Sequence, residues 1–422
     1  YPNRFAGTDE VFSAANQTSM NNGSDAVGDE GVVHTIPIAV GANAVLVNLP
    51  DGCSVTRKPG TTTDFATADG TAANNFTAAE QLQFSDFGNV DRARLQLTRS
   101  QLEGLFYGSI TTWGALIPWI NDGNGTGGEP ADTACAAKPV YRVVRNDSSG
   151  TTFAQKEWLN SIDTGHWSTL LSQNIVWPND GTNGATKVVR GGTATINPDG
   201  SLATGTPANG NGPVVKSTEA IDGSVAYAVL ADARTGSVTI GQFERQAGVS
   251  DDRYWTKVQS KGTAGTAAGD FADPNSIATG FVAGSYLDAT KRGANCANSP
   301  AANIPSGSDP TLATWLAVTS AETGPYGGCT LTYALAWDDY ALPYRLIPGY
   351  DPVAEEKKAR TVKDYLTAIT SIGQTSLTQQ DYAPLPVSVR AIAQAGVAAI
   401  GWDKAGDAGG DHRTGDPLAE QG

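Results

Sequence analysis

Histidine is nearly absent: His34, His166 and His412 are the only three in 422 residues. His34 falls in a strand-like segment and His166 beside Trp167 at a helix end, contexts in which histidine is usually structural, and His412 sits in a polar tail. No Gly-x-Ser-x-Gly elbow occurs either, so a Ser/His/Asp hydrolase has no support. Cysteine is sparse too. Cys53, Cys135, Cys296 and Cys329 lie far apart without any Cys-x-x-Cys spacing, which removes a zinc or dithiol redox motif. Two disulfides are the simplest account. Of the three possible connectivities, sequence proximity favours Cys53 with Cys135 and Cys296 with Cys329, and such bonds imply an oxidising, extracytoplasmic compartment.

Basic residues are few: 28 Lys and Arg face 43 Asp and Glu, a formal charge of −15. Nucleic acid and anionic membranes both require basic surface, so neither is an expected partner. No apolar run approaches the roughly 18 residues of a membrane span. No Gly-x-x-x-x-Gly-Lys-Ser/Thr string occurs, which removes the nucleotide P-loop. No cofactor motif is found, and no metal cluster or nucleophile–base pair points to an enzyme. Tyr1 stands where an initiator Met would, with no charged-then-apolar leader, as expected of a processed chain or a fragment.

What the chain does have is Arg145-Asn146-Asp147-Ser148-Ser149-Gly150-Thr151-Thr152, a fixed cation, hydroxyls and approachable N–H groups in one turn. The apolar segment Val140 to Val144 leads in and Phe153 to Leu159 leads out with helical composition, so the turn is expected at a helix N-terminus. There, unpaired N–H groups and the positive end of the dipole favour an anion. An ordinary N-cap cluster, with Thr152 and Gln155 as a capping box, is an equally good local reading.

Elsewhere, Val32 to Leu49 reads as two short buried strands broken near Gly41. Helical patterns cover Arg94–Leu105, Val362–Thr370 and Ala391–Ile400, and a strand covers Leu331–Tyr340. Val214 to Tyr227 reads as a helix passing into a strand. The alternation of strand and helix favours an α/β protein.

Six segments, in order, resemble the phosphate-binding protein of the bacterial high-affinity phosphate ABC transporter. Gly7-Thr8-Asp9 is similar to that family's Gly-Ser-Asp. Ile36–Gly41 through Val47–Pro50 is similar to its apolar strand pair. Leu97-Thr98 with Leu105-Phe106-Tyr107-Gly108-Ser109-Ile110-Thr111-Thr112-Trp113 is similar to its Leu-Thr … Ile-Phe-x-Gly-x-Ile-x-x-Trp block. Arg145 to Thr151 resembles Arg-x-Asp-x-Ser-Gly-Thr, Gly223 to Tyr227 resembles Gly-Ser-Ile-Gly-Tyr, and Tyr382 to Pro386 resembles Tyr-x-Pro-Leu-Pro.

The resemblance implies a type II periplasmic-binding-protein fold of two α/β lobes around a ligand cleft. Residues 1–48 and 331–422 would form the first lobe, with 403–422 a disordered tail. Residues 49–330 would form the second, with surface insertions at 51–89 and 121–138. It implies that Asp9, Arg145, Ser149, Gly150 and Thr151 bind inorganic phosphate, that Asp147 holds Arg145 in place, and that an ABC permease is the partner. Asp9 would accept the proton that phosphate keeps near neutral pH and sulfate lacks; read alone, Asp9 is a turn or cap residue. The family places a strand, a Gly-rich loop and a helix before Gly-Ser-Asp, whereas six residues precede Gly7, so the first lobe is expected to be N-terminally incomplete. A cell-surface assembly subunit whose missing strand comes from another chain is therefore the alternative function.

Overall fold

The computed structural model describes residues 5–9, 32–53, 95–117, 120, 132–180, 188–192, 207–235, 253–260, 271–275, 293–296, 326–344 and 348–404. Nearly all of the expected insertion at 51–89, most of that at 121–138, and the tail from 405 lie outside the described residues. The strands are β1 (Ala6–Thr8), β2 (Val33–Asn48), β3 (Gln96–Leu97), β4 (Tyr141–Val144), β5 (Val188–Arg190), β6 (Ser224–Val229), β7 (Arg253–Trp255), β8 (Lys257–Gln259), β9 (Phe271–Ala272) and β10 (Cys329–Trp337). The helices that bear on function are α1 (Arg99–Tyr107), α2 (Gly150–Asn160), α3 (Asn211–Ala220), α4 (Leu230–Thr235), α5 (Pro352–Thr370) and α6 (Val387–Ala399).

The main sheet runs β1-β10-β2-β6-β4-β5, with β7 also pairing β2. β1, β10, β2 and β6 pair antiparallel in succession, while β4 lies parallel to both β6 and β5. The expectation of two strands broken near Gly41 is corrected: β2 is one strand of 16 residues that changes partner. Val33 to Ala42 pairs with β10, and Asn43 to Asn48 with β6. Gly41 stays extended beneath the ring of Tyr382, where an added Cβ would sit 3.4 Å from Cε1. Pro37, which has no N–H to donate, falls where the β2–β10 register shifts between Thr332 and Tyr333, so the ladder tolerates it. Burial on both faces explains why β2 is an almost unbroken apolar run.

Helix boundaries follow their caps. Thr98 and Gln101 close a capping box before α1, and Gly108, at φ 87°, ends it with its N–H on Gly104 O. Asp351 caps α5, with Pro352 in the first turn. Trp113, Trp167, Trp255 and Trp402 are fully buried. Arg142, in the middle of β4, is buried as well, and burial depresses its pKa to about 10. It is held by the carbonyls of Phe106, Pro178 and Asn179 at 2.6, 2.9 and 2.9 Å. His34 is structural, as expected: its Nε2 lies 2.7 Å from Asp338 Oδ1. The expected disulfides Cys53–Cys135 and Cys296–Cys329 are both formed.

One buried ion pair joins α4 to the loop before α6. Arg234 Nε donates to Asp381 Oδ2 at 2.8 Å, with side chains 1% and 2% exposed, and the guanidinium lies over Trp255. Asp381 adopts φ 63°, which Asn also tolerates. Asp381→Asn therefore removes the charge with little backbone strain and leaves Arg234 without its carboxylate. The expected loss is about 3 kcal/mol or more in urea unfolding, the cost of breaking one side of a buried pair.

Candidate functional site

The site is built at the carboxyl ends of the parallel strands. β4 ends at Val144, and the next five residues turn into α2. Ser149 is the N-cap, extended at φ −149° and ψ 132°, and its Oγ accepts from Thr151 N at 3.2 Å. The expected capping box of Thr152 and Gln155 is not formed, because the helix begins three residues earlier. Thr152 Oγ1 instead lies 2.7 Å from Tyr227 Oη, and Gln155 is fully buried. Burial also pushes the Tyr227 phenol up to about 12, so this contact is between neutral groups at ordinary pH.

Arg145 is fixed on two sides. Its Nε and Nη2 donate to the two oxygens of Asp147 at 2.8 and 2.5 Å, and its Nη1 donates to Asn211 Oδ1 at 2.9 Å. Partial burial opposes the charge on Asp147, but the hydrogen bonds from Arg145 and from Gly210 N win and hold its pKa below the usual carboxylate range. Of the five guanidinium hydrogens these contacts use three, leaving one on each Nη for another acceptor. Asn211, at the start of α3, is itself bound: its Nδ2 donates to Asp232 Oδ2 at 2.8 Å.

Asp9 follows β1 and comes from the opposite side. Thr332 Oγ1 donates to its Oδ1 at 2.8 Å and Thr151 Oγ1 to its Oδ2 at 3.3 Å, so a residue 142 positions away in sequence meets the turn directly. Desolvation raises the Asp9 pKa more than these hydroxyls and Arg145 lower it. Tyr382 closes the group, its phenol pushed up to about 12 by burial, with Asp9, Asp232 and Asp381 adding to the shift. The fold thus brings Asp9 to the turn that holds Arg145, Asp147, Ser149, Gly150 and Thr151, the residues named through the family resemblance. Thr332, Asn43, Asn211, Asp232 and Tyr382 were not anticipated. Asn43 had a signal, a lone amide in a buried apolar run; its Nδ2 donates to Thr151 O at 3.2 Å. A cavity of about 370 Å³ lined by Pro50, Lys138, Tyr141 and Asp222 lies at the other ends of β4 and β6, away from this group.

A carboxyl whose folded pKa is raised gives stability that is present below the unfolded pKa and lost as pH rises through the folded one. At neutral pH Asp9 is therefore a burden on the fold. Asp9→Asn keeps the Thr332 contact and is expected to raise the melting temperature at neutral pH. The difference from wild type should vanish by about pH 3, where a carboxyl is protonated in both states; calorimetry at the two pH values checks it.

No family model matches the chain, and no curated protein sequence matches it. Among solved structures, a human phosphate binding apolipoprotein is similar over 93% of this chain and 79% of its own, with TM-score 0.50 and 16% identity. A DING protein is similar over the same shares, with TM-score 0.49 and 15% identity. A phosphate binding protein from Stenotrophomonas maltophilia is similar at TM-score 0.45 and 17% identity, again over 93% and 79%. At such identities the likeness is one of fold: the chain has the mixed α/β fold of the periplasmic-binding-protein type expected from its sequence.

Proposed function

We propose that this protein captures inorganic phosphate between Asp9 and the Arg145–Thr151 turn and delivers it to a membrane permease. The observation that carries the reading is the approach of the Asp9 carboxylate to the mouth of an N-terminal helix turn that also holds a guanidinium. A carboxylate beside an anion site is repulsive unless the anion brings a proton. Phosphate near neutral pH does, and Asp9 accepts it; fully ionised sulfate does not. Leaving a buried charged acceptor unpaired costs on the order of 1–3 kcal/mol or more, which is about a tenfold to hundredfold discrimination.

The remaining roles follow from donors still available. Arg145 offers its two free Nη hydrogens, one from each nitrogen, to phosphate oxygens, with Asp147 and Asn211 fixing the plane. Gly150 offers its backbone N–H at the positive end of α2, and Ser149 and Thr151 offer hydroxyls; the Thr151 N–H, which donates to Ser149 Oγ in this structure, is released when that hydroxyl turns to the anion. Thr151 Oγ1 donates to Asp9 in this structure, and a phosphate between them would take over both groups. The reading divides the chain into lobes at 1–48 with 331–422, and 49–330, joined through β2, and has lobe closure bury the anion for recognition by the permease. The solved structures of like fold include phosphate binding proteins, and two disulfides suit an extracytoplasmic setting. The role is binding rather than catalysis.

Titration calorimetry with inorganic phosphate and with sulfate checks the reading. Saturable phosphate binding is expected, with sulfate at least about tenfold weaker and Arg145→Ala at least about a hundredfold weaker for phosphate. No phosphate heat, or equal affinity for the two anions, would sink it.

A further inference from the structure

We propose that Asp232 is a second proton acceptor of this anion site, so that the site takes the dihydrogen, monoanionic form of phosphate in preference to the monohydrogen dianion. The inference rests on the phosphate-binding reading above and goes beyond it by naming the protonation state bound and a residue that selects it.

The argument begins with Asn211. Its carboxamide accepts from Arg145 Nη1 at 2.9 Å and donates to Asp232 Oδ2 at 2.8 Å. A single amide spans the gap, so Asp232 Oδ2 lies no more than about 8 Å from the guanidinium. Asp232 is the third residue of α4, which follows β6 directly, while Ser149 and Thr151 follow the adjacent parallel strand β4. Both therefore rise from the same end of the sheet. Asp232 is partly exposed, and among the described residues its Oδ1 has no hydrogen-bond partner.

Charge then decides which form fits. The groups around Asp232 are Arg145 and Asp147 from the turn after β4, Asp9 from the end of β1, and Tyr382 and Asp381 from the loop before α6. Arg190 of β5 and Arg234 of α4 complete them. Arg234 is matched by Asp381 and Arg190 by Asp180. Tyr382 and Tyr227 are neutral at physiological pH. What is left is one guanidinium against the three carboxylates of Asp9, Asp147 and Asp232. Asp147 is occupied by Arg145, so two carboxylates remain to face a ligand. A dianion with a single hydroxyl satisfies one of them and is repelled by the other. The monoanion has two P–OH groups, one for Asp9 and one for Asp232, and two unprotonated oxygens for the Arg145 hydrogens and the N–H groups of α2. The field of Asp232 is felt across the site: it disfavours the ionised forms of Asp9 and Tyr382.

Titration calorimetry of the full chain with inorganic phosphate, from about pH 6 to about pH 8.5, tests this. Wild-type affinity is expected to fall by up to about tenfold per pH unit once phosphate passes its second ionisation. Asp232→Asn keeps an acceptor for Asn211 and removes the charge; it should bind about tenfold more weakly than wild type near pH 6, where the charged acceptor of a P–OH is lost, and at least about tenfold more tightly near pH 8.5. Asp232→Ser, with circular dichroism of both variants, covers a failure of the first to fold. A wild-type affinity that does not fall with pH overturns the inference and leaves phosphate binding standing. So do parallel profiles for wild type and variants, or a loss that is uniform in pH and marks Asp232 as a mere support of Asn211. Absence of phosphate binding at every pH overturns both readings.

Discussion

One strand that changes partner midway and so holds together the two halves of the main sheet is the constraint on which the remaining structure depends. β2 gives its first ten residues to β10 and its last six to β6, and the handover falls between Ala42 and Asn43. Backbone, side-chain and disulfide contacts converge on that point. Asn43 N donates to Gly328 O at 2.7 Å, Asn43 O accepts from Tyr326 Oη at 2.6 Å, and the Cys296–Cys329 disulfide lies beside Gly41. Gly327 and Gly328 admit the Trp158 ring so closely that a Cβ on either would sit 2.8 or 2.7 Å from it. Small residues at 327–328 thus let α2 press against the crossing, which is how a helix begun after β4 comes to lie beside a strand shared with β10.

The same geometry accounts for the electrostatics. An acidic protein that holds an anion cannot use a general basic surface, and the donors here are local: a guanidinium constrained by an aspartate and an asparagine, and the start of a capped helix. In the proposed reading the carboxylates in the group are selectors and supports around a single cation. Buried charge elsewhere is treated differently. Arg142 is met by three carbonyls, and Lys156, its pKa lowered to about 8 by burial with Arg190 adding to the shift, is met by Asn174 and the carbonyl of Val176. Those cations are met by neutral acceptors, whereas Arg145 is met by a carboxylate and an amide.

How much was legible in the sequence depends on the range of the interaction. A helix start within residues 145–152, the cysteine pairing chosen by proximity and the structural role of His34 were within reach of short-range reading, while the position of Asp147 on Arg145 came with the segment resemblance. Gly41 misled because a glycine in an extended segment reads as a break, whereas here it makes room for the Tyr382 ring. The proposed capping box misled because Thr152 and Gln155 have the right spacing, and spacing says nothing of Tyr227, 75 residues away. The contacts of Asp9 with Thr332 and Thr151 join distant segments, and nothing local to Thr332, Asn211 or Asp232 marks them. Segment resemblance carried Asp9 where local pattern would have left it a turn residue.

The bond from Asn43 to the carbonyl of Thr151 has a mechanical meaning. It fastens the first turn of α2 to the crossing strand, so the helix start that follows Arg145 is tied to the point where β2 changes partner. Asp9 reaches the same turn from the end of a strand of three residues paired with β10, through the hydroxyls of Thr332 and Thr151. Thr151 is therefore the meeting point of the group, its carbonyl held by the crossing strand and its hydroxyl by Asp9.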